Sequence, residues 1–210
     1  MLSNDTFPVQ FKGSALARRV LGLFGWRYTF LGLPAAQGLI IGYPHTSNWD
    51  FIVMVMVKWA TGLQIQFLAK KSLFRYPVFS LWLRHLGGVA IDRSAKQGVV
   101  GEMLKIFAKA KKEETYLWLA LSPEGTRKRT EGWRSGFYQL ALHAEIPLCA
   151  VRIDYGKKHV DFSQCMYLTG NESQDYAQLA LAFEGTQGFH PHYASPIQPI
   201  HAAGSASQSH

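Results

Sequence analysis

The sequence predicts a single α/β domain with a mostly parallel central sheet flanked by helices. Short apolar runs alternate with amphipathic helical stretches along most of the chain, a pattern typical of parallel strands joined by crossover helices. The 210 residues suit one domain with a substantial core. A content of 48% hydrophobic and 17% charged residues excludes a disordered chain.

The pattern begins with an amphipathic basic helix over about residues 13–25, where Leu16, Val20, Leu23 and Phe24 recur at helical spacing. Further helices are predicted from apolar periodicity at 48–60, 76–86, 96–112, 136–144 and 175–184. Strands are predicted at 38–42, 64–69, 88–92, 116–121, 147–154 and 158–167. No repeat or linker divides residues 1–185, so they form one domain. We predict a flexible tail over residues 186–210.

No segment predicts a membrane span, which needs about 20 uninterrupted apolar residues. Pro34 and Pro44 interrupt residues 28–49, and Lys58 interrupts residues 51–69. The N-terminus also lacks the basic and apolar regions of a signal peptide. We therefore expect a cytoplasmic protein, at most peripherally attached to a membrane.

Cys149 and Cys165 lie in no CxxC or Cys/His ligand spacing. The pattern therefore predicts neither a metal site nor a disulfide framework. Two free thiols suit a reducing cytoplasm.

The net charge of +8 is unevenly distributed. Residues 1–91 hold nine Lys and Arg against two acids, a charge of +7, whereas residues 92–210 hold thirteen against twelve. A half that is both apolar and basic indicates an anionic partner with an apolar part, such as a membrane surface or a lipid. Nucleic acid is disfavoured, because it usually requires denser basic clusters.

The segment His45-Thr-Ser-Asn-Trp-Asp50 follows a predicted strand and precedes an apolar helix. If Ser47 is the N-cap, Asp50 lies in the first turn and its carboxylate folds back to accept a hydrogen bond from His45. Such a partner fixes the imidazole tautomer and supports its protonated form, as a general base requires. The alternative is a capping box beside an ordinary loop histidine.

Two further strand ends carry basic residues. Arg93 follows Gly87-Gly-Val-Ala-Ile-Asp, and the turn Pro123-Glu-Gly-Thr-Arg127 follows an apolar strand. Arginine binds phosphate bidentately, and turn amides with a hydroxyl form an anion site. Solvated arginines on a basic surface turn are the alternative interpretation.

Together these blocks resemble the glycerophospholipid acyltransferases of the lysophosphatidic-acid type. HTSNWD is similar to the family's HxSxxD block, GGVAIDR to its second, PEGTR to its third and IPLCAVRI to its fourth. The blocks occur in the family's order over residues 38–155. The resemblance implies that residues 1–185 are an acyltransferase domain with the family's α/β fold.

The resemblance also implies the chemistry of the site. His45 would be the general base and Asp50 its partner. The phosphate of the acceptor would be held by Arg93, Gly125, Thr126 and Arg127, and Lys70 would add positive charge at the same mouth. Glu124, also counted among the substrate-binding residues, would brace its loop rather than act as an acid. The acyl donor would be acyl-CoA or acyl-carrier protein, and no metal or other cofactor is implied. The acceptor would be a lysophospholipid such as 1-acylglycerol-3-phosphate, bound at the cytoplasmic face of a membrane.

Two alternatives stay open. The same chemistry suits another hydroxylated lipid or a lyso-amino-acid lipid as acceptor. A non-catalytic, basic membrane-binding module is also compatible with the charge pattern, although pure binding has no need for a positioned His–Asp pair. The apolar run that follows Asp50 is either a wall of an acyl groove or simply core.

Overall fold

Seven strands form one sheet within residues 7–91 and 98–200, which are the residues that the computed structural model describes. The strands are β1 (Arg27–Thr29), β2 (Gln37–Tyr43), β3 (Gln66–Lys70), β4 (Gly88–Ile91), β5 (Leu117–Leu121), β6 (Leu148–Asp154) and β7 (His159–Met166). Their order across the sheet is β1-β7-β6-β2-β5-β3-β4, and β6 pairs antiparallel with β7 while all other neighbours are parallel. The predicted fold class is confirmed. The prediction missed the three-residue edge strand β1.

Six α-helices accompany the sheet in the described part of the chain: α1 (Ala15–Leu23), α2 (Trp49–Thr61), α3 (Pro77–His85), α4 (Gly98–Lys112), α5 (Gly136–His143) and α6 (Glu172–Ala182). Short 3-10 turns lie at Lys71–Arg75 and Pro191–Tyr193. None of these helices is both long and apolar enough to cross a bilayer, as far as the described residues extend.

A hydrophobic core covers each face of the sheet. One core contains residues of α4, α5 and α6, and the other contains residues of α1 and α2. In the second core the indole of Trp118 is fully buried and lies so close to β2 that a Cβ on Gly38 would collide with it. Gly38 therefore permits the close approach that packs Trp118.

Helix α1 turns its predicted apolar face outward. Ala17 and Leu21 are buried against the domain, whereas Leu16, Leu23 and Phe24 are 72%, 85% and 68% exposed. The helical periodicity is correct, but the larger apolar side chains face away from the core. Leu16 and Leu23 are seven residues apart, so these exposed side chains share one face of the helix.

Cys149 and Cys165 form a disulfide, so the prediction of two free thiols is wrong. The residues are 16 positions apart in sequence, but they lie directly opposite each other on the antiparallel strands β6 and β7. This pairing depends on strand register, which cysteine spacing alone does not reveal.

The sequence predicts a flexible tail from residue 186, whereas residues 186–200 pack along the domain. The amide of His190 donates to Thr46 Oγ1 at 3.1 Å, and the amide of Ser195 donates to Glu124 Oε1 at 2.9 Å. Trp133 exchanges backbone hydrogen bonds with Gln198 and Ile200. These backbone contacts hold a segment whose Pro and Gly content indicates a loop. Residues 201–210 lie outside the described residues.

Candidate active site

The site lies at the carboxyl ends of β2, β5 and β6, which are adjacent at the centre of the sheet. The loop after β2 carries His45, the loop after β5 carries Glu124 to Arg127, and Tyr155 follows β6 directly. Open parallel sheets bind ligands at this edge. The topology therefore brings together two of the sequence blocks that are far apart along the chain.

His45 and Asp50 form the predicted pair. His45 Nδ1 lies 3.0 Å from Asp50 Oδ2, which also accepts the backbone amides of Thr46 at 2.8 Å and Ser47 at 2.9 Å. The N-cap of α2 is Asn48 rather than the predicted Ser47, so Asp50 is the second helical residue. The carboxylate thus fixes both the imidazole and the loop that carries it.

The hydrogen bond to Asp50 decides which imidazole nitrogen is available. With Nδ1–H directed at the carboxylate, the neutral ring keeps Nε2 as its unprotonated acceptor. The His45 side chain is 31% exposed while that of Asp50 is 2% exposed. A ring that is reachable from solvent and held by a buried carboxylate is the arrangement of a general base.

Asp50 is held in its charged form. Burial acts to raise its pKa, but hydrogen bonds from His45 and from the Ser47 amide, together with the nearby Tyr155 hydroxyl, outweigh burial and lower it. A lowered pKa keeps the carboxylate ionised at neutral pH, where it supports an imidazolium.

Tyr155 is a site residue that the sequence analysis missed. Its hydroxyl lies near enough to the Asp50 carboxylate for each group to shift the pKa of the other, and neither this buried hydroxyl nor Asp50 Oδ1 has a hydrogen-bond partner among the described residues. Burial first, and then the Asp50 charge, raise the pKa of Tyr155. Edge contacts to the rings of Trp26 and Phe189 hold the phenol in place.

Glu124 lies beneath the histidine loop and is 0% exposed. Its Oε2 accepts the His45 amide at 2.7 Å, and its Oε1 accepts the Ser195 amide at 2.9 Å. Burial raises its pKa against the opposing effect of these hydrogen bonds. Glu124 therefore braces the loops, as the resemblance implies, and its place among the substrate-binding residues stays a prediction.

A cavity of about 530 Å³ has His45 in its wall beside Gly125, Thr126 and Arg127. Gly125 has φ of +66°, and a Cβ there would lie 2.8 Å from Arg134 Nε, so only glycine lets Arg134 cross this turn. Arg134 lines the same cavity and was not predicted from the sequence. The rest of the cavity wall is largely apolar and includes Leu68, Val99, Val100, Met103, Phe137 and Leu140. We name this space the basic cavity.

A second space, of about 260 Å³, also has His45 in its wall. It runs beside α2 and is lined mainly by aliphatic and aromatic side chains. Phe51, which lines it, packs edge-on against Phe67 and Trp82. We name this space the apolar groove. The apolar run after Asp50 therefore contributes to a groove as well as to the core.

The side chains of Lys70 and Arg93, two of the predicted site residues, lie outside the part of the chain that the structure describes. Lys70 is the last residue of β3, so its backbone ends at the same edge of the sheet as the site. Arg93 lies outside the described residues, and its role stays a prediction.

A family model described as Acyltransferase matches residues 30–154, which is more than half of the chain. The chain belongs to the acyltransferase family. The matched range contains both the His45–Asp50 block and the turn from Pro123 to Arg127. The family resemblance stated from the sequence is thereby confirmed.

Two individual proteins are similar to this family member. The 1-acyl-sn-glycerol-3-phosphate acyltransferase of Haemophilus influenzae is 24% identical over 157 residues, covering 68% of this chain and 63% of that protein. The chain thus spans less than two thirds of that relative's length. The crystal structure of the 1-acyl-sn-glycerophosphate acyltransferase PlsC from Thermotoga maritima is similar to this chain, with a TM-score of 0.50 and 16% sequence identity. The match covers 79% of this chain and 72% of the PlsC chain. That likeness concerns the fold.

The geometry of this family member suits a reaction in which His45 exchanges a proton with molecules bound on either side of it. His45 stands where the basic cavity and the apolar groove meet, since it lines both. The basic cavity offers guanidinium groups for an anion beside an apolar wall, and the apolar groove offers a surface for an alkyl chain. A reaction that joins an anionic molecule to an apolar one fits this arrangement.

Proposed function

We propose that the protein transfers a fatty acyl group from an acyl thioester to a hydroxyl of a lysophospholipid of the 1-acylglycerol-3-phosphate type. The observation that carries the proposal is the position of His45, held by Asp50 at the junction of a basic cavity and an apolar groove. Membership of the acyltransferase family supports the reaction class. The Haemophilus influenzae relative supports the acceptor.

In the proposed mechanism His45 Nε2 takes the proton of the acceptor hydroxyl as its oxygen attacks the thioester carbonyl carbon. Asp50 stabilises the imidazolium that forms. The tetrahedral intermediate then expels the thiolate, which takes the proton back from His45. The products are the new ester and a free thiol, and no acyl-enzyme is needed.

The acceptor phosphate binds in the basic cavity. Arg127 supplies a bidentate guanidinium, Gly125 and Thr126 supply an amide and a hydroxyl, and Arg134 adds a second guanidinium at the same wall. Lys70 and Arg93 belong to this anion site as predictions from the sequence. The acyl chain of the donor lies in the apolar groove, where its methylenes leave water.

The same proposal places the protein at the cytoplasmic face of a membrane as a peripheral protein. Exposed apolar side chains on α1 and α3 and at their caps would contact the bilayer; they are Leu16, Leu23, Phe24, Tyr76, Val78 and Leu81. Arg18 and Arg19 on α1 lie between the first two of these residues. Each basic residue near an anionic leaflet adds about 1 kcal/mol of binding.

Mass spectrometry of the products tests the proposal. The purified protein is incubated with acyl-CoA or acyl-carrier protein and a panel of lysophospholipids, lyso-amino-acid lipids and other hydroxylated lipids. We expect an acylated 1-acylglycerol-3-phosphate together with release of one thiol per ester. His45→Ala should lose about 10²–10⁴ in rate and keep its fold, whereas the exposed His143→Ala should keep full activity.

Each other outcome has a distinct meaning. Transfer to a different lipid alone would keep the chemistry and replace the acceptor. Vesicle binding without thiol release, for wild type and His45→Ala alike, would indicate a membrane-binding module instead of an enzyme.

A further inference from the structure

Lys58 lies where the apolar groove ends. Helix α2 contributes Phe51, Met54, Val55 and Lys58 to the groove, and this spacing places the four side chains on one helical face. Asp50 also lines the groove, and it is eight residues before Lys58. At 1.5 Å per residue, the distance along the helix between these two positions is about 12 Å.

The end of the groove is polar because the Lys58 ammonium is held there. Lys58 Nζ donates to the carbonyl of Leu86 at 2.5 Å, and a Cβ on Gly87 would lie 3.4 Å from the same nitrogen. Leu86 and Ile65 line this end of the groove beside the start of the sheet. The ammonium is thus fixed at the opposite end of the groove from His45.

A cation is an unusual lining for an apolar groove. Lys58 is half-buried, and this burial lowers the pKa of its ammonium. The residues of α2 that precede Lys58, from Phe51 to Val57, are all apolar. The charge therefore interrupts a surface that would otherwise continue along the helix.

We propose that Lys58 limits the length of the acyl chain and makes the protein selective for medium-chain acyl donors. This inference rests on the proposed function, because it needs the acyl chain to lie in the apolar groove. A carbon chain advances about 1.3 Å per carbon, since its bonds of about 1.5 Å follow a zigzag. The distance of about 12 Å along α2 therefore takes roughly nine to ten carbons before the chain meets the ammonium.

The physical cause of the selection is the hydration of the ammonium. Each methylene that enters the groove improves binding by about fourfold until the chain reaches Lys58. A longer chain would displace the water that hydrates the ammonium and leave the Leu86 carbonyl as its hydrogen-bond partner in the groove, which is strongly unfavourable for a charged group. Its remaining carbons would otherwise have to leave the groove into solvent.

The experiment compares Lys58→Met with wild type on acyl-CoA donors of 8, 10, 12, 14, 16 and 18 carbons. Methionine keeps the stem of the side chain and removes the charge. We expect wild type to give its highest kcat/KM at about 10 carbons and Lys58→Met to raise the 16-to-10 carbon ratio at least tenfold. Lys58→Arg, which keeps a cation, and Lys112→Met, which removes an exposed lysine of α4, should leave the ratio within twofold.

An unchanged ratio in a folded, active Lys58→Met would overturn the inference. So would a wild-type preference for donors that carry a terminal carboxylate, because Lys58 would then bind the chain end rather than exclude it. Thermal stabilisation by each acyl-CoA is measured in parallel, since it reports binding without turnover. If acyl-CoA stabilises the protein in a way that depends on chain length and on Lys58, but no acyl transfer occurs, the inference is kept and the proposed reaction is rejected. If neither stabilisation nor transfer depends on chain length, only the inference is rejected.

Discussion

The Glu124 carboxylate accepts a hydrogen bond from the backbone amide of His45 at 2.7 Å. This bond joins the loop after β5 to the loop after β2, so the PEGTR block positions the HTSNWD block. Since Oε1 of the same carboxylate accepts the Ser195 amide, one buried side chain fixes three segments of the chain. The position of the imidazole therefore depends on a buried residue whose two carboxylate oxygens are both engaged by backbone amides.

Replacing Glu124 with Gln should lower kcat far more than it raises KM. The amide group can accept one backbone N–H but presents donors to the other, so either His45 or Ser195 loses its acceptor. A displacement of about 1 Å at a reacting group costs about 10² in rate, and we expect a fall in kcat of about 10–100-fold. Steady-state kinetics at varied acceptor concentration measures both parameters. The control Glu131→Gln alters an exposed glutamate of the same loop, and an equal effect in both variants would contradict a specific role for Glu124.

Arg127→Ala and Arg134→Ala should each raise the KM for the phosphorylated acceptor. Both guanidinium groups line the basic cavity beside His45, and loss of a charge-assisted hydrogen bond costs about 1.5–3 kcal/mol, or roughly 10–100-fold. The penalty should nearly vanish on an acceptor without phosphate, because the contact is then absent in both enzymes. Arg27→Ala, at an exposed position on the edge strand β1, is the matched control. Equal penalties on both acceptors would show that the phosphate binds elsewhere.

Much of the fold and part of the site follow from local sequence. The alternation of apolar runs and helices predicts the sheet, and the spacing of His45 and Asp50 across a helix start predicts their contact, because both patterns depend on neighbours along the chain. Tyr155 and Arg134 could not be found this way. Their contacts depend on β6 lying beside β2 and on Arg134 crossing Gly125.

The disulfide and the final segment depend on the same long-range information. Cys149 meets Cys165 only because β7 returns antiparallel to β6 in one register. Ser195 reaches Glu124 across 71 residues. Composition predicts flexibility for such a segment, because composition contains no information on the backbone contacts that a folded surface provides.

Tyr155→Phe should reduce kcat by several fold and leave KM unchanged. The hydroxyl lies against Asp50 and helps to lower the pKa of that carboxyl, so its removal weakens the support of the His45 imidazolium without touching the substrate. Phenylalanine keeps the edge contacts to Trp26 and Phe189, so the packing of the ring should persist. Tyr167→Phe, at a site that is 52% exposed, should behave as wild type. A lower thermal midpoint with unchanged kcat would assign Tyr155 a purely structural role.

Acid should lower the free energy of unfolding by protonating Asp50, and Asp50→Asn should measure the size of this contribution. The pKa of Asp50 is lowered in the folded protein, so the unfolded chain binds the proton more tightly. Its contribution to the free energy of unfolding is therefore present above the ordinary carboxyl pKa of about 4 and is lost as the pH falls through the lower, folded value. The unfolding free energies of wild type and Asp50→Asn should thus differ most near pH 6, begin to converge below about pH 4 and meet only below the folded pKa of Asp50. The exposed Glu102→Gln should run parallel to wild type throughout. A constant gap between wild type and Asp50→Asn down to the lowest pH would mean that the carboxylate gains nothing from its three hydrogen bonds to His45, Thr46 and Ser47.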